Sequence, residues 1–408
     1  MITESFIREL PKTDLHIHLD GSMRCETLIE LAQQQNIELP SFTTDGLMEL
    51  VFKNGYKDLP EYLQGFAYTC AVLQNPESLE QVAYELACDN IEEGVRYLEV
   101  RFAPMLHVRP GLDMETIMLA VNKGLDRAKS EHNSKLSSDS AEPEFNYGII
   151  ACAMRMFTPE FSSYYRKISE AHQYMPPRKL YGLASLELAR AMVDIRDRTG
   201  VPITGFDLAG AEDGYPAEDH IEAYAYVHRH FMNKTVHAGE AYGAESIFQA
   251  ISRLHADRIG HGYHLFDEEF ICDPRIDKAR FISDLSQFIA HSRLTIEVCL
   301  SSNKDTDPSL TSIADHPFRK MRDLKLSTTI CTDNRLVSRT TVSRELMLAV
   351  QHFGLTHREL KNIVIYGFKR CFYPGDYATK RKYVRQVIDY YRQVEKKHGI
   401  DVEPVNEY

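Results

Sequence analysis

The sequence has no long run of apolar residues and no long run of basic ones. A membrane-spanning helix needs about 20 consecutive apolar residues, and no stretch of this chain approaches that length. The formal net charge is −12, and an acidic chain without a basic run argues against nucleic acid or an anionic membrane as the main partner. A cation or a neutral small molecule is compatible with this charge.

Paired cysteine motifs are missing as well. The eight cysteines are scattered and none forms a CxxC pair, which predicts reduced thiols in a cytoplasmic protein. The first ten residues, MITESFIREL, lack the apolar core of a signal peptide. We therefore expect a cytoplasmic protein that does not associate with a membrane.

Eight short β-rich runs are separated by longer helical patterns, such as those at 79–93 and 184–196. The runs are 13–19, 95–103, 147–154, 203–208, 235–238, 258–261, 295–300 and 327–332. Most are almost continuously apolar and end in polar residues or glycine, which is typical of parallel strands buried on both faces. Eight such βα units predict an α/β fold of the (β/α)8 TIM barrel type, with its chemistry at the carboxyl ends of the strands. The alternative is a doubly wound open sheet, but no GxGxxG or Walker-type loop follows the first strand.

Three segments are interpreted as additions to the barrel. Residues 26–76 are too long for one crossover helix and predict several short helices near the barrel mouth. Residues 129–146 are polar and predict a mobile surface loop. Residues 340–408 predict further helices, including a packed terminal helix at 383–394. We expect one domain over residues 1–408, with the barrel at about 13–334.

One stretch, TDLHIHLDG at 13–21, contains the residue types of a metal site. Side chains alternate along a strand, so His16, His18 and Asp20 share one face. Neutral imidazole is the commonest nitrogen ligand of divalent metals. Taken alone, the stretch also fits two buried histidines with no metal.

Three later strand ends carry further candidates. His237 ends the fifth run and Glu240 lies in the following turn, where a desolvated carboxyl could hold a proton at neutral pH or simply cap the next helix. His261 stands between two glycines, as a base or electrostatic partner for a metal-bound water. Asp333 offers a hard oxygen ligand, and mixed nitrogen and oxygen ligation with one open position suits catalytic zinc.

Together these stretches closely resemble the adenosine deaminase family of the metal-dependent amidohydrolase superfamily. The matching motifs occur in the order found in the family, between residues 13 and 334: TDLHIHLDGS, FDLAGAE, VHAGE, RIGHGYHL, EVCLSSN and TDN. The resemblance implies hydrolysis of adenosine, and of 2′-deoxyadenosine, to the 6-oxo purine nucleoside and ammonia. It also implies one Zn²⁺ per chain.

The resemblance assigns roles to residues by position. Glu240 is expected to donate a proton to purine N1, and His261 to orient or deprotonate the zinc-bound water. Ser302 is expected near the site. The expected zinc ligands are His16, His18, His237 and Asp333. The expected substrate contacts are Asp20 to the ribose 5′-hydroxyl, the Gly210 N–H to purine N3, and Asn334 to purine N7.

Asn334 departs from the pattern of the family, which usually has a second aspartate there. An aspartate must be protonated to donate a hydrogen bond to N7, whereas an asparagine amide donates without any proton adjustment. We therefore expect Asn334 to keep the N7 contact.

Several alternative functions remain open from the sequence. The same chemistry could act on adenine, an aminated nucleotide, aminofutalosine or another 5′-modified adenosine, although Asp20 would repel a 5′-phosphate. A two-metal hydrolase of the superfamily would need a carboxylated lysine in the fourth strand, and ITGFDLAG has none. A cytidine-type deaminase would need a PCxxC motif, which is absent. A catalytically silent nucleoside-binding relative would be expected to lack Glu240 or His261. Cobalt and iron share the ligand preferences of this set, and the sequence carries no signal for an oligomeric state.

Overall fold

A computed structural model describes residues 2–137 and 140–400. Within them, eight parallel strands form one sheet in which each strand pairs with the next along the chain. The strands are β1 Lys12–His18, β2 Val95–Phe102, β3 Asn146–Met154, β4 Ile203–Ala209, β5 Asn233–Ala238, β6 Arg258–His261, β7 Thr295–Val298 and β8 Ser327–Ile330. The predicted (β/α)8 barrel is confirmed.

The barrel closes between the last strand and the first, just beyond the end of β8. Ile17 and Asp333 form a parallel bridge, in which the Asp333 N–H donates to the carbonyl of His16 and the His18 N–H donates to the carbonyl of Asp333, each at 2.8 Å. The closure of the barrel therefore brings Asp333 beside the two histidines of β1.

The described residues contain seventeen α-helices. They are α1 Glu4–Glu9, α2 Cys25–Gln35, α3 Thr44–Leu50, α4 Leu59–Leu63, α5 Gly65–Val72, α6 Pro76–Glu92, α7 Met114–Asn133, α8 Ser163–Ala171, α9 Pro177–Thr199, α10 Ile221–Arg229, α11 Ala244–Ser252, α12 Lys278–Ser292, α13 Leu300–Thr306, α14 Phe318–Asp323, α15 Val342–Phe353, α16 His357–Arg370 and α17 Tyr377–Lys397. Short 3₁₀ turns lie at Pro104–Leu106, Ala217–His220, Tyr263–Phe266, Glu268–Phe270 and Ile313–Asp315. None of the helices in the described part of the chain is long and apolar enough to cross a bilayer.

The predicted strands agree with the observed ones to within two residues at each end. The run 295–300 ends early, at Val298, because α13 begins at Leu300. Every residue of β2 and of β4 is buried, since the barrel interior covers one face and the helices cover the other. The helical patterns at 79–93 and 184–196 correspond to α6 and α9. All eight cysteines are free thiols.

The prediction of a mobile loop over residues 129–146 is wrong at both ends. α7 continues to Asn133, where the polar residues occupy the outer face of an amphipathic helix. The Asn133 amide donates to the carbonyl of Phe145 at 3.1 Å and accepts from its N–H at 2.9 Å. This pair joins the end of α7 to the buried start of β3. Residues 138 and 139 lie outside the described residues.

The other two additions agree with the prediction. Residues 26–76 contain the short helices α2 to α5, and side chains of α4 and α5 line the cavity at the barrel mouth. The predicted terminal helix at 383–394 lies within α17, whose Val387 and Tyr391 are buried. Residues 401–408 lie outside the described residues.

Candidate active site

Three histidines and one aspartate meet at the carboxyl ends of the strands. The Nε2 atom of His237 lies 3.1 Å from the Nε2 atoms of both His16 and His18. The Oδ1 atom of Asp333 lies 3.4 Å from the same two nitrogens and has no hydrogen-bond partner. Converging nitrogen and oxygen donors with an unsatisfied carboxylate oxygen are the arrangement that a divalent metal ion completes.

His261 also points toward this cluster. Ligating atoms of His16, His237, His261 and Asp333 all lie within 4.8 Å of one another. The structure thus brings together all the predicted metal ligands, and His261 is close enough to compete with His18 as a ligand. Burial holds the pKa of His261 well below its usual range.

Two buried carboxylates hold His16 of β1 and His237 of β5 in place. The Nδ1 atom of His16 lies 2.8 Å from Glu297, and the Nδ1 atom of His237 lies 3.0 Å from Asp207. Each imidazole can therefore donate from Nδ1 and present the Nε2 lone pair to the cluster. Arg101 joins the two carboxylates, at 2.8 Å from Asp207 and 2.9 Å from Glu297.

Both His261 and Asp333 have left-handed backbone conformations, with φ of 63° and 62°. Residues other than glycine adopt this region at a cost of about 1–3 kcal/mol when the surroundings impose it. The Ser302 hydroxyl donates to Asp333 Oδ2 at 2.6 Å, so Ser302 lies beside the site as expected. Strained backbone at two strand ends is consistent with a functional site.

Glu240 faces the cluster from the turn after β5. Its Oε1 atom lies 3.6 Å from His261 Nε2. Burial raises the pKa of Glu240 to about 8, so the carboxyl group holds a proton at neutral pH. A protonated carboxyl beside a candidate metal site can act as a general acid.

The turn that carries Glu240 is held by a second glutamate, Glu212. Its carboxylate accepts hydrogen bonds from the four consecutive backbone N–H groups of residues 239–242, at 2.8 to 3.0 Å. The Ser246 hydroxyl donates to it as well. This arrangement fixes the turn and therefore the position of the Glu240 side chain.

A cavity of about 570 Å³ opens above the cluster. Its described lining contains carboxylates such as Asp20 and Glu160, but no lysine or arginine. Much of the remaining wall is apolar: Leu59, Leu63, Phe66, Leu106, Met154 and Phe161. A cavity of this size with few polar groups suits a small organic ligand, and it offers no cation to a phosphate.

Comparisons with known proteins agree with this geometry. The adenosine deaminase family model matches residues 11–184 and 179–390. An adenosine deaminase of Mycolicibacterium vanbaalenii is 34% identical over 378 residues, covering 92% of this chain and 94% of the relative. The chain is a member of the adenosine deaminase family.

Solved structures of lower identity share the fold of this family member. An amidohydrolase from Burkholderia ambifaria with bound Zn has a TM-score of 0.74 at 21% identity, covering 98% of this chain and 96% of that one. The N6-mAMP deaminase of Arabidopsis has a TM-score of 0.71 at 24% identity, covering 94% and 99% of the two chains.

The three residues predicted to contact substrate all line the cavity of this adenosine deaminase family member. Asp20 is buried, its Oδ1 has no partner, and burial raises its pKa to about 7. Gly210 has a φ of 94°, so its backbone can follow a turn that favours glycine. The Asn334 Nδ2 atom donates to the Tyr62 hydroxyl at 2.8 Å, which leaves one amide hydrogen for a ligand.

Sequence reasoning missed the residues that support the site. Asp207, Glu212 and Glu297 belong to the matching motifs FDLAGAE and EVCLSSN, but no role was assigned to them. The sequence feature that could have identified them is an acidic residue within an apolar strand or shortly after one. Such a residue needs a partner, and the sequence does not say which partner it has.

Proposed function

We propose that this family member is a zinc-dependent adenosine deaminase, which converts adenosine and 2′-deoxyadenosine with water into inosine or deoxyinosine and ammonia. The observation that carries the proposal is the position of Glu240, a buried carboxyl whose Oε1 atom lies 3.6 Å from His261 Nε2, beside the His/Asp cluster. A proton donor facing a candidate metal site is what hydrolysis of an aminopurine requires.

We propose that one Zn²⁺ per chain is held by His16, His18, His237 and Asp333. The fit rests on their converging donor atoms and on the unsatisfied Asp333 Oδ1. When bound, zinc supplies the Lewis acidity that makes a water molecule nucleophilic near neutral pH.

Glu240 and His261 supply the proton transfer and the positioning of the water. Glu240 donates its proton to purine N1, which makes C6 electrophilic. His261 orients the water that attacks C6 and stabilises the negative charge that develops on its oxygen. One proton of that water reaches the exocyclic nitrogen, which leaves as ammonia, and the other returns to the Glu240 carboxylate, so that the acid is restored.

Substrate selection is proposed to follow from the cavity lining. Asp20 holds the 5′-hydroxyl, the Gly210 N–H reaches N3, and the free amide hydrogen of Asn334 reaches N7. Because no lysine or arginine lines the described cavity, a 5′-phosphate would lose its hydration without gaining a partner. Adenosine that carries an uncharged 5′ substituent is the second candidate substrate, since the apolar walls can accept one.

We expect this enzyme to work in the cytoplasm as one domain spanning residues 1–408. The expectation rests on the scattered free thiols and on the barrel with its terminal helices.

The experiment is the loss of the ultraviolet absorbance of adenosine with purified protein, before and after chelator treatment. Zinc, cobalt and iron are then added back in turn. We expect chelator-sensitive production of inosine that zinc restores. A zinc-loaded protein that leaves adenosine unchanged would contradict the proposal, and 5′-modified adenosines, AMP and adenine would then be tested.

A further inference from the structure

A chain of three hydrogen bonds leads from a backbone amide to His261. The Phe318 N–H meets His316 Nδ1 at 3.0 Å. His316 Nε2 meets Asn303 Oδ1 at 3.2 Å, and Asn303 Nδ2 meets His261 Nδ1 at 3.2 Å. The side chains of His261, Asn303 and His316 are at most 1% exposed, and the proposed function assigns no role to the last two.

The direction of each of these hydrogen bonds follows from the backbone amide of Phe318, with which the series begins. A backbone N–H can only donate, so His316 Nδ1 accepts. His316 is uncharged because burial lowers its pKa to about 3. Its single ring proton therefore lies on Nε2 and is donated to Asn303 Oδ1. The Asn303 amide nitrogen is left facing His261 and donates to its Nδ1.

This order determines which nitrogen of His261 carries the proton. Because Nδ1 accepts, the proton of the neutral ring lies on Nε2. That nitrogen has no hydrogen-bond partner in the described residues and points toward Glu240 and the metal cluster. We propose that Asn303 and His316 are positioning residues that hold His261 as the Nε2–H tautomer, so that it faces the reacting centre as a hydrogen-bond donor.

The opposite arrangement is excluded by the same contacts. A proton on Nδ1 of His261 would face the amide hydrogens of Asn303, and two donors would meet without an acceptor. Rotating the Asn303 amide would move the same conflict to His316, which cannot change its tautomer because Phe318 N–H occupies its Nδ1. The Phe318 N–H therefore determines the direction of all three hydrogen bonds.

The tautomer also decides how His261 relates to the metal cluster. A ring nitrogen that carries a proton has no lone pair for a metal ion. His261 is therefore not a ligand, although its ligating atom lies close to the others, and His18 supplies the third imidazole. The Nε2–H donor instead meets the oxygen that attacks C6, which deepens the role of His261 in the proposed deaminase and rests on that function.

The test compares zinc-loaded wild-type protein with Asn303→Asp, an isosteric change. A carboxylate accepts from both rings, so His261 would carry its proton on Nδ1. The protonated nitrogen is read from ¹⁵N NMR of histidine-labelled protein, with His261→Gln to assign the signals. We expect Nε2–H in the wild type and Nδ1–H in the variant. We also expect kcat for adenosine to fall by about 10²-fold, the effect of removing one donor to a developing oxyanion, with KM and zinc content little changed.

The matched control is Thr306→Val in the same helix. The Thr306 hydroxyl donates to the backbone carbonyls of Ser302 at 3.0 Å and Asn303 at 3.4 Å. It does not touch the side chains of Asn303, His316 or His261 that form the series of hydrogen bonds. We expect the wild-type tautomer and the wild-type kcat in this variant.

The inference is overturned by a wild-type His261 that is protonated on Nδ1 or on both nitrogens, a measurement that needs no variant. An Asn303→Asp protein with Nδ1–H and an unchanged kcat would also overturn it, because the donor would then be dispensable. If the wild type does not deaminate adenosine, the proposed function is wrong, and the ring signals alone decide the tautomer.

Discussion

The imidazoles of this site differ in the partner that each Nδ1 atom meets. His16 and His237 face the carboxylates Glu297 and Asp207, which favour a proton on Nδ1 and a lone pair on Nε2. His261 faces the amide of Asn303, which favours the reverse. Residues of one type can therefore serve as ligands or as a donor, and the neighbour on the far side of the ring decides between them.

Changing Glu240 to Gln tests the proton donor. The amide keeps the shape of the side chain but cannot transfer a proton to N1, and Glu240 is not among the proposed ligands. We expect zinc content close to that of the wild type and loss of most turnover, by about 10²-fold or more. Metal analysis and kcat with adenosine check this, and near-normal kcat would remove Glu240 from the acid role.

Changing Asn334 to Ala tests the proposed N7 contact. Loss of one hydrogen bond to a neutral acceptor should cost about 1 kcal/mol or somewhat more of transition-state binding, which lowers kcat/KM roughly fivefold or more. The matched variant is Asn334→Asp, which must be protonated to donate and should therefore lose kcat/KM as the pH rises. An unchanged kcat/KM for Asn334→Ala would show that this side chain does not contact the substrate productively.

At the scale of elements, the turn after β5 depends on Glu212 for its shape. In Glu212→Gln, one carboxylate oxygen becomes an amide NH₂ that faces backbone N–H donors. We expect kcat to fall and the free energy of unfolding to decrease by about 1–3 kcal/mol, since buried donors lose their acceptor. Kinetics and urea unfolding measure the two effects.

The control for this change is Glu218→Gln, an exposed glutamate in the 3₁₀ turn Ala217–His220 that follows Glu212. Neither kcat nor unfolding should change in this variant. If Glu212→Gln also kept its wild-type kcat, the turn would be fixed by other contacts.

Much of the fold could be predicted from the sequence because parallel barrel strands are apolar almost throughout. The candidate ligands could be placed because each lies near the carboxyl end of such a run or directly after it, and the barrel brings these strand ends to one edge. The end of α7 was missed because a polar helix face has the composition of a loop. The partnership of His16 with Glu297, 281 residues apart, was missed because a local pattern carries no information about which distant strand a side chain will meet.

At the scale of the whole molecule, buried histidines should make stability depend on pH. Burial lowers the pKa of His107 to about 4 and of His220 to about 3. Between these values and about 6.5, the unfolded chain binds protons that the folded one does not. Each such histidine therefore lowers the free energy of unfolding by about 2 kcal/mol on acidification from pH 7.5 to pH 5.

Changing His107 to Leu should remove its share of this dependence. We expect the free energy of unfolding to fall less between about pH 7.5 and pH 5 in the variant than in the wild type, as measured by urea unfolding. Replacing the exposed His291 with Gln should leave the dependence unchanged. Equal slopes for wild type and His107→Leu would show that His107 takes up its proton equally in both states.

The bridge between Ile17 and Asp333 joins two parts of the chain that are 316 residues apart, and the proposed ligands lie on both sides of that seam. An ion held by His16, His18, His237 and Asp333 would link the first strand of the barrel to the segment after the last one, where the barrel closes. Since an ion that binds only the folded state stabilises it, chelation should lower the melting temperature as well as the activity. Metal occupancy of this protein would then be measurable by thermal denaturation alone, without any substrate.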